Sequence, residues 1–121
     1  MPPIPTTRTQ FIMEPSMLDT EFDQKFNYFN KVQDTSRFKS IWSIFEISNI
    51  HDLSGLSGET LRYGDHWGEG TIVIPLPGGN LQWWDLWVAA EKAIEQSGDQ
   101  HHMFIEAFYK KGNDIYLSTG S

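Results

Sequence analysis

The sequence contains no cysteine, so it has no disulfide and no thiolate to offer for catalysis or metal binding. A small secreted scaffold held together by disulfides is thereby excluded. No apolar run approaches the ~20 residues needed to cross a bilayer. The first ten residues, MPPIPTTRTQ, show neither the basic start nor the apolar stretch of a signal peptide. These absences predict a soluble protein of the cytoplasm that does not act at a membrane.

The sequence also lacks the short motifs that carry well-known chemistry. It has no phosphate-binding glycine loop ending in Lys-Ser or Lys-Thr, no GxGxxG, no HExxH, no GxSxG and no run of calcium-loop ligands. No cofactor is therefore expected, and a non-catalytic protein is favoured over an enzyme.

Basic residues are scarce in the second half of the chain. The formal net charge is −7, from 16 acidic residues against 9 Lys and Arg. Between Glu46 and Glu106 the only bases are Arg62 and Lys92. This charge repels phosphate backbones and anionic lipid, so nucleic acid and membrane are not expected as partners, whereas a basic protein is. An acidic surface that only keeps the protein soluble is the alternative explanation.

The composition that remains predicts one folded domain behind a short arm. With 121 residues, 39% of them hydrophobic and 14% aromatic, the chain is large enough to bury a core. Residues 1–15 contain four of the six prolines and show no periodicity, which predicts a flexible arm. Residues 16–121 are predicted to form the domain.

Hydrophobic periodicity predicts an α+β fold. Apolar residues recur at helical spacing over 17–31, and β-type runs cover 38–47, 60–63 and 71–76. A hairpin is predicted over 102–109 and 114–118, with Ile105 and Phe108 on opposite faces by strict alternation. The order α-β-β-β-α-β-β predicts an antiparallel sheet of about five strands, with a Trp-rich helix packed on it and an N-terminal helix.

The chain is organised around the segment NLQWWDLWVAAEKAIEQSG, from Asn80 to Gly98. Asn80 is predicted to cap the helix N-terminus, and Gly98 to supply the left-handed residue that follows the last turn. An arc of this helix is expected to face the core; it comprises Trp83, Leu86, Trp87, Ala90, Ala93 and Ile94.

A second apolar strip on this helix lies off the core-facing arc. It consists of Leu81, Trp84 and Val88, with Glu91 and Glu95 beside it. Either other parts of the chain cover the strip, or it is an aromatic anchor with a charged rim that binds a partner. The preferred hypothesis is a non-catalytic protein-binding module, of inhibitor or immunity type, in which these five residues contact a protein. A homodimer through the helix is another use for the strip.

A glycine-rich loop offers a different kind of site. Asp65, His66, Trp67 and Glu69 lie among three glycines, and carboxylate and imidazole groups can bind zinc or manganese. Because glycines and polar residues also make an ordinary turn, no metal is predicted. A small-ligand or metal-binding protein, or an enzyme with its site in this loop, remains the alternative function.

Overall fold

Five strands and two helices make up the fold. The computed structural model describes residues 17–64 and 71–121, with side chains from residue 21 onward. The elements in chain order are α1 (Met17–Ser36), β1 (Ile41–Trp42), β2 (Thr60–Gly64), β3 (Thr71–Pro75), α2 (Trp83–Ser97), β4 (Phe104–Lys111) and β5 (Asp114–Gly120). The predicted α+β class and element order are confirmed. The predicted arm, residues 1–15, lies outside the described residues. Neither described helix has the length and apolar character to cross a bilayer.

The sheet is mixed, whereas a purely antiparallel one was predicted. Its strand order is β1-β4-β5-β2-β3. β4 pairs with β5 and β2 with β3 in antiparallel fashion, but β1 pairs with β4 and β2 with β5 in parallel. The two parallel pairs join strands that are distant in the sequence. Local alternation does not specify such pairings, since they depend on where the chain returns after α2.

The β4–β5 hairpin is confirmed, but its faces differ from strict alternation. The turn passes through Gly112, whose positive φ of 63° suits glycine. A bulge lies between Ile105 and Ala107. Because a bulge inserts one extra residue, Ile105 and Phe108 both face the core. Phe108 accordingly packs near Trp42, with ring centroids 5.9 Å apart.

The strand predicted over 38–47 is reduced to the two residues of β1. Ser43 makes the last contacts with the sheet, since its N–H and its hydroxyl both donate to the Ile105 carbonyl, at 3.1 and 2.6 Å. The chain then leaves the sheet as irregular backbone, although Ile47 and Ile50 are buried. These apolar residues pack into the core from a loop, so an apolar segment here did not indicate a strand.

Helix α2 begins at Trp83, with Gln82 at the N-cap position, and not at Asn80 as predicted. Leu81 is held in extended contacts: its N–H donates to the Leu56 carbonyl and its carbonyl accepts from the Ser54 N–H, at 3.1 and 2.8 Å. Because the Leu81 carbonyl accepts from Ser54, it does not accept the Asp85 N–H as it would in a first helical turn, and that N–H bonds to the Gln82 carbonyl at 3.0 Å. The Asp85 carboxylate instead accepts the Gln82 N–H at 2.9 Å. Gly98 ends the helix with φ of 72°, as predicted.

The core lies between the sheet and the helices. α2 packs on β2 and β3, and α1 packs beside β1. Trp87 is fully buried, and its ring lies 5.2 Å from that of Trp42 and 5.3 Å from that of Phe38. The rest of the predicted arc is also buried, except for the partly exposed Trp83; the buried members are Leu86, Ala90, Ala93 and Ile94.

Substituting the two neighbouring tryptophans by alanine should separate core from surface. We expect Trp87→Ala to lower the free energy of unfolding by ~3–5 kcal/mol, because it empties a fully buried aromatic site. Trp84→Ala should lower the free energy of unfolding by less than Trp87→Ala does, because Trp84 is only partly buried. Urea denaturation measures both. Equal, large losses at the two positions would contradict the assignment of Trp84 to the surface.

Candidate functional site

Trp84 is a partly exposed aromatic held in place from one side. Its ring stacks on Phe38, with centroids 5.5 Å apart and an interplanar angle of 22°. The His51 ring lies 6.0 Å away. Offset stacking of this kind is favourable and restricts the orientation of the indole. The indole packs against the core cluster, and its exposed part is thus held in a defined position.

The strip predicted around Trp84 divides into a buried and an exposed part. Leu81 is fully buried and therefore unable to contact a partner. Trp84 and Val88 are partly exposed. The two uses foreseen for the strip, burial by the chain and exposure to a partner, therefore apply to different residues within it.

Two shallow grooves flank Trp84. The first, of about 420 Å³, lies between β3 and α2 and includes Ile74, Leu76, Trp84 and Val88 in its walls. Asp85 and Lys92 add one charge of each sign to the same groove.

The second groove, of about 460 Å³, lies between the C-terminal part of α1 and the start of α2. Its lining includes Tyr28, Lys31, Val32, Ile50, His51 and Trp84, so Lys31 adds a positive charge to it. Trp84 therefore forms the ridge between two partly apolar depressions. A convex aromatic beside concave apolar surface is an arrangement that protein interfaces use.

Glu91, predicted on the rim of this surface, supports the fold. One carboxylate oxygen accepts the Lys39 N–H at 3.0 Å. The other accepts the N–H and the hydroxyl of Ser40, at 2.9 and 2.6 Å. Ser40 is fully buried, and its hydroxyl also accepts from the indole N–H of Trp87 at 2.9 Å. Glu95, one turn later, is exposed.

Asp99 is a second carboxylate with a structural role. It is 2% exposed, and one oxygen accepts the N–H groups of His101 and His102, at 2.8 and 3.2 Å. The other oxygen lies 2.6 Å from Nδ1 of His102. These contacts, the His101 N–H foremost, lower the pKa of Asp99. Asp114 likewise has a lowered pKa, because the Thr60 hydroxyl donates to it and Arg62 lies 3.2 Å away.

The described acidic residues between Glu46 and Glu106 therefore fall into two groups. Asp85, Glu91 and Asp99 accept backbone N–H groups. Among the described residues of this segment, the exposed carboxylates are Glu46, Asp52, Glu59, Glu95 and Glu106, and Asp85 is partly exposed in the lining of the first groove.

The alternative site in the glycine-rich loop lies outside the described residues, and so do Asp65, His66, Trp67 and Glu69. Within 17–64 and 71–121, no group of three or more His, Asp or Glu side chains is placed to hold a metal ion. His102 is drawn to Asp99, and the His101 side chain is exposed. The loop remains a hypothesis based on the sequence.

Two contributors to the Trp84 region were missed in the sequence. Phe38 was assigned to a strand and not linked to Trp84. Strand β3 was not assigned to an edge, although Pro75 within its β-type run was a usable signal. Proline cannot donate to a strand ladder, so within sheets it is found mainly on edge strands.

Comparisons with protein families, with curated proteins and with solved structures found no match to this chain.

The structural role of Glu91 can be tested against its neighbour Glu95. We expect Glu91→Ala to lower the free energy of unfolding by about 2 kcal/mol, because it leaves the N–H of buried Ser40 without an acceptor. Glu95→Ala, the same change at an exposed position of the same helix, should stay within about 0.5 kcal/mol of the parent. Chemical denaturation measures both. Similar values for the two variants would contradict the structural role.

The lowered pKa of Asp99 predicts a loss of stability in acid. The folded state prefers ionised Asp99, so its contribution is present above the ordinary carboxyl pKa of 3.8 and is lost as pH falls through the lower, folded-state pKa. Asp99→Asn should be less stable near neutral pH and lose less on acidification. Thermal midpoints between about pH 7 and pH 2 measure this. Asp23→Asn, the same substitution at an exposed position of α1, is the control and should stay within about 0.5 kcal/mol of the parent near neutral pH.

Proposed function

We propose that this protein is a non-catalytic module that binds a protein partner through the Trp84 surface, defined as Trp84, Val88 and the two grooves beside them. The observation that carries the proposal is the position of the indole between two partly apolar depressions. Trp84 is stacked on Phe38 yet still partly exposed. Inhibitors and immunity proteins are the kinds of module that act in this way.

The Trp84 surface has the properties of an energetic centre in an interface. Tryptophan is enriched among the few residues that dominate binding energy, especially when apolar surface surrounds it. Stacking on Phe38 already limits the motion of the ring, so a partner would lose little additional side-chain entropy on binding. Val88 and Leu76 extend the apolar contact within the first groove.

The charge of the chain supports a basic partner. The net charge is −7, and Glu95 is exposed on the helix that carries Trp84. Opposite charge on a partner would accelerate the encounter at low salt and orient the two surfaces. A cytoplasmic location is part of the proposal, because a chain without cysteine needs no oxidising compartment.

The proposal predicts that partner capture depends on Trp84. The immobilised full chain should retain a protein from the source cell that the Trp84→Ala variant retains about tenfold less, since loss of a central aromatic removes more than about 1.4 kcal/mol of binding. Quantitative mass spectrometry of the eluates measures the ratio. Raised salt should reduce the association rate, measured by surface plasmon resonance with the captured protein.

Tyr109→Ala is the matched control for this experiment. Tyr109 is also an exposed aromatic, 59% exposed, and it follows the core-facing Phe108, so it lies on the opposite face of the sheet. This variant should retain the partner as the parent does. Glu95→Lys should slow association without unfolding the protein, whereas Glu91 is unsuitable because it supports the fold. A partner retained equally by the parent and Trp84→Ala would overturn the proposal.

A further inference from the structure

Within residues 17–64 and 71–121, strand β3 pairs with β2 alone and so forms one edge of the sheet. The Leu76 N–H donates to the Glu59 carbonyl at 3.0 Å. This contact shows which residues of β3 direct their backbone groups toward β2. In antiparallel pairs the hydrogen-bonded residues alternate, so Ile74 bonds toward β2 while Val73 points its N–H and C=O away from the sheet. No described residue outside β3 hydrogen-bonds to the backbone of Val73.

This edge lacks the charged side chains that usually protect exposed edges from pairing. The strand reads TIVIP, with Val73 43% exposed at its centre. Natural edges are commonly blocked by lysine, other charges, bulges or proline. Here Pro75 removes one donor at the end of the strand, and Thr71 and Val73 keep theirs. The edge therefore offers a short, uncharged row of backbone donors and acceptors.

The first groove of the Trp84 surface lies against this same edge. Ile74, Pro75 and Leu76 form one of its walls, and Trp84 and Val88 of α2 form the other. A strand added beside β3 would direct every second side chain toward the α2 side of the sheet. Those side chains would meet the apolar walls of the groove.

The charges near the groove indicate the chemistry of such a strand. Asp85 lies in the groove, and the exposed Glu59 lies beside Leu76 at the end of β3. Lys92 supplies a single opposing charge in the lining. An added segment with apolar side chains toward the groove and a basic residue near Asp85 and Glu59 matches both the walls and the charge.

We infer that the partner contributes an extended segment, with apolar residues at alternate positions and a basic residue beside them, that pairs with the free edge of β3 and fills the β3–α2 groove. This inference rests on the proposed function and specifies its binding mode. The backbone ladder would supply affinity, and the groove would select the side chains, as in other complexes formed by strand addition.

The test uses a phage-displayed library of random peptides of about ten residues, near the upper end of ordinary strand lengths, selected on the immobilised full chain. Selected peptides should carry apolar residues at alternate positions with Lys or Arg among the others. Val73→Pro, which removes the outward N–H, should weaken a selected peptide about tenfold in fluorescence polarisation. Val73→Thr, which keeps the N–H and the β-branch, should bind within about twofold of the parent.

Amide exchange on the parent protein gives a readout that does not depend on how well Val73→Pro folds. Bound peptide should slow hydrogen exchange at the Thr71 and Val73 amides, measured by NMR on the full chain. Sedimentation of the protein alone should show a monomer. Concentration-dependent protection of Val73 without peptide would mean that a second copy occupies the edge, and would overturn the inference.

The remaining outcomes separate the binding mode from the proposed function. Some peptides could lose affinity on Trp84→Ala but bind Val73→Pro normally and leave exchange at Val73 unchanged. That result would overturn strand addition and leave the Trp84 surface as the binding site. Peptides insensitive to both changes would count against both proposals. A library that yields no binder would overturn strand addition alone, since partner capture tests the Trp84 surface independently.

Discussion

A hydrogen-bonded bridge from Trp87 through Ser40 to Glu91 joins α2 to the connection between α1 and β1. Ser40 is fully buried, so its N–H and hydroxyl must find partners within the protein, and Glu91 accepts from both. The bridge holds the backbone next to Phe38, which stacks on Trp84 and also contacts Trp87. The aromatic ring that stacks on Trp84 thus lies two residues along the chain from this hydrogen-bonded bridge.

The same bridge changes the interpretation of the acidic sequence. A carboxylate that accepts backbone N–H groups is charged, but it is committed to the fold and has little left to offer a partner. Glu91 and Asp99 are of this kind. Asp85 gives one oxygen to the Gln82 N–H and still lines the first groove, and Glu95 and Glu59 are exposed. Net charge therefore overstates the acidic surface that an incoming protein would meet.

The Trp84 surface arises where α2 packs over the edge of the sheet. β3 is the outermost strand on its side of the described sheet, and α2, which follows it in the chain, packs on β2 and β3. The helix therefore leaves a groove against a strand whose outer backbone groups have no partner among the described residues. Apolar side chains, edge hydrogen-bonding groups and the Trp84 ridge meet at this place as a consequence of topology, with no dedicated motif in the sequence.

Features that depend on neighbours along the chain could be predicted from the sequence. The apolar arc of α2, its end at Gly98 and the β4–β5 hairpin were predicted because helical periodicity, a left-handed glycine and a tight turn are local properties. Of the five residues predicted to contact a partner, Trp84 and Val88 are partly exposed and Glu95 is exposed, and their role in binding stays a prediction.

The features that the sequence did not predict depend on contacts between segments that are distant along the chain. Leu56 and Ser54 bind the backbone of Leu81, which buries that residue and delays the start of α2. Ser40 draws Glu91 away from the rim, and the bulge in β4 turns Phe108 inward. The parallel pairing of β2 with β5 has the same origin. The sequence by itself determined the order of the elements and the core-facing arc of α2. The tertiary structure decided the length of β1, the faces of β4, and which polar groups and apolar side chains were used internally, because hydrogen-bond partners and burial come from residues far along the chain.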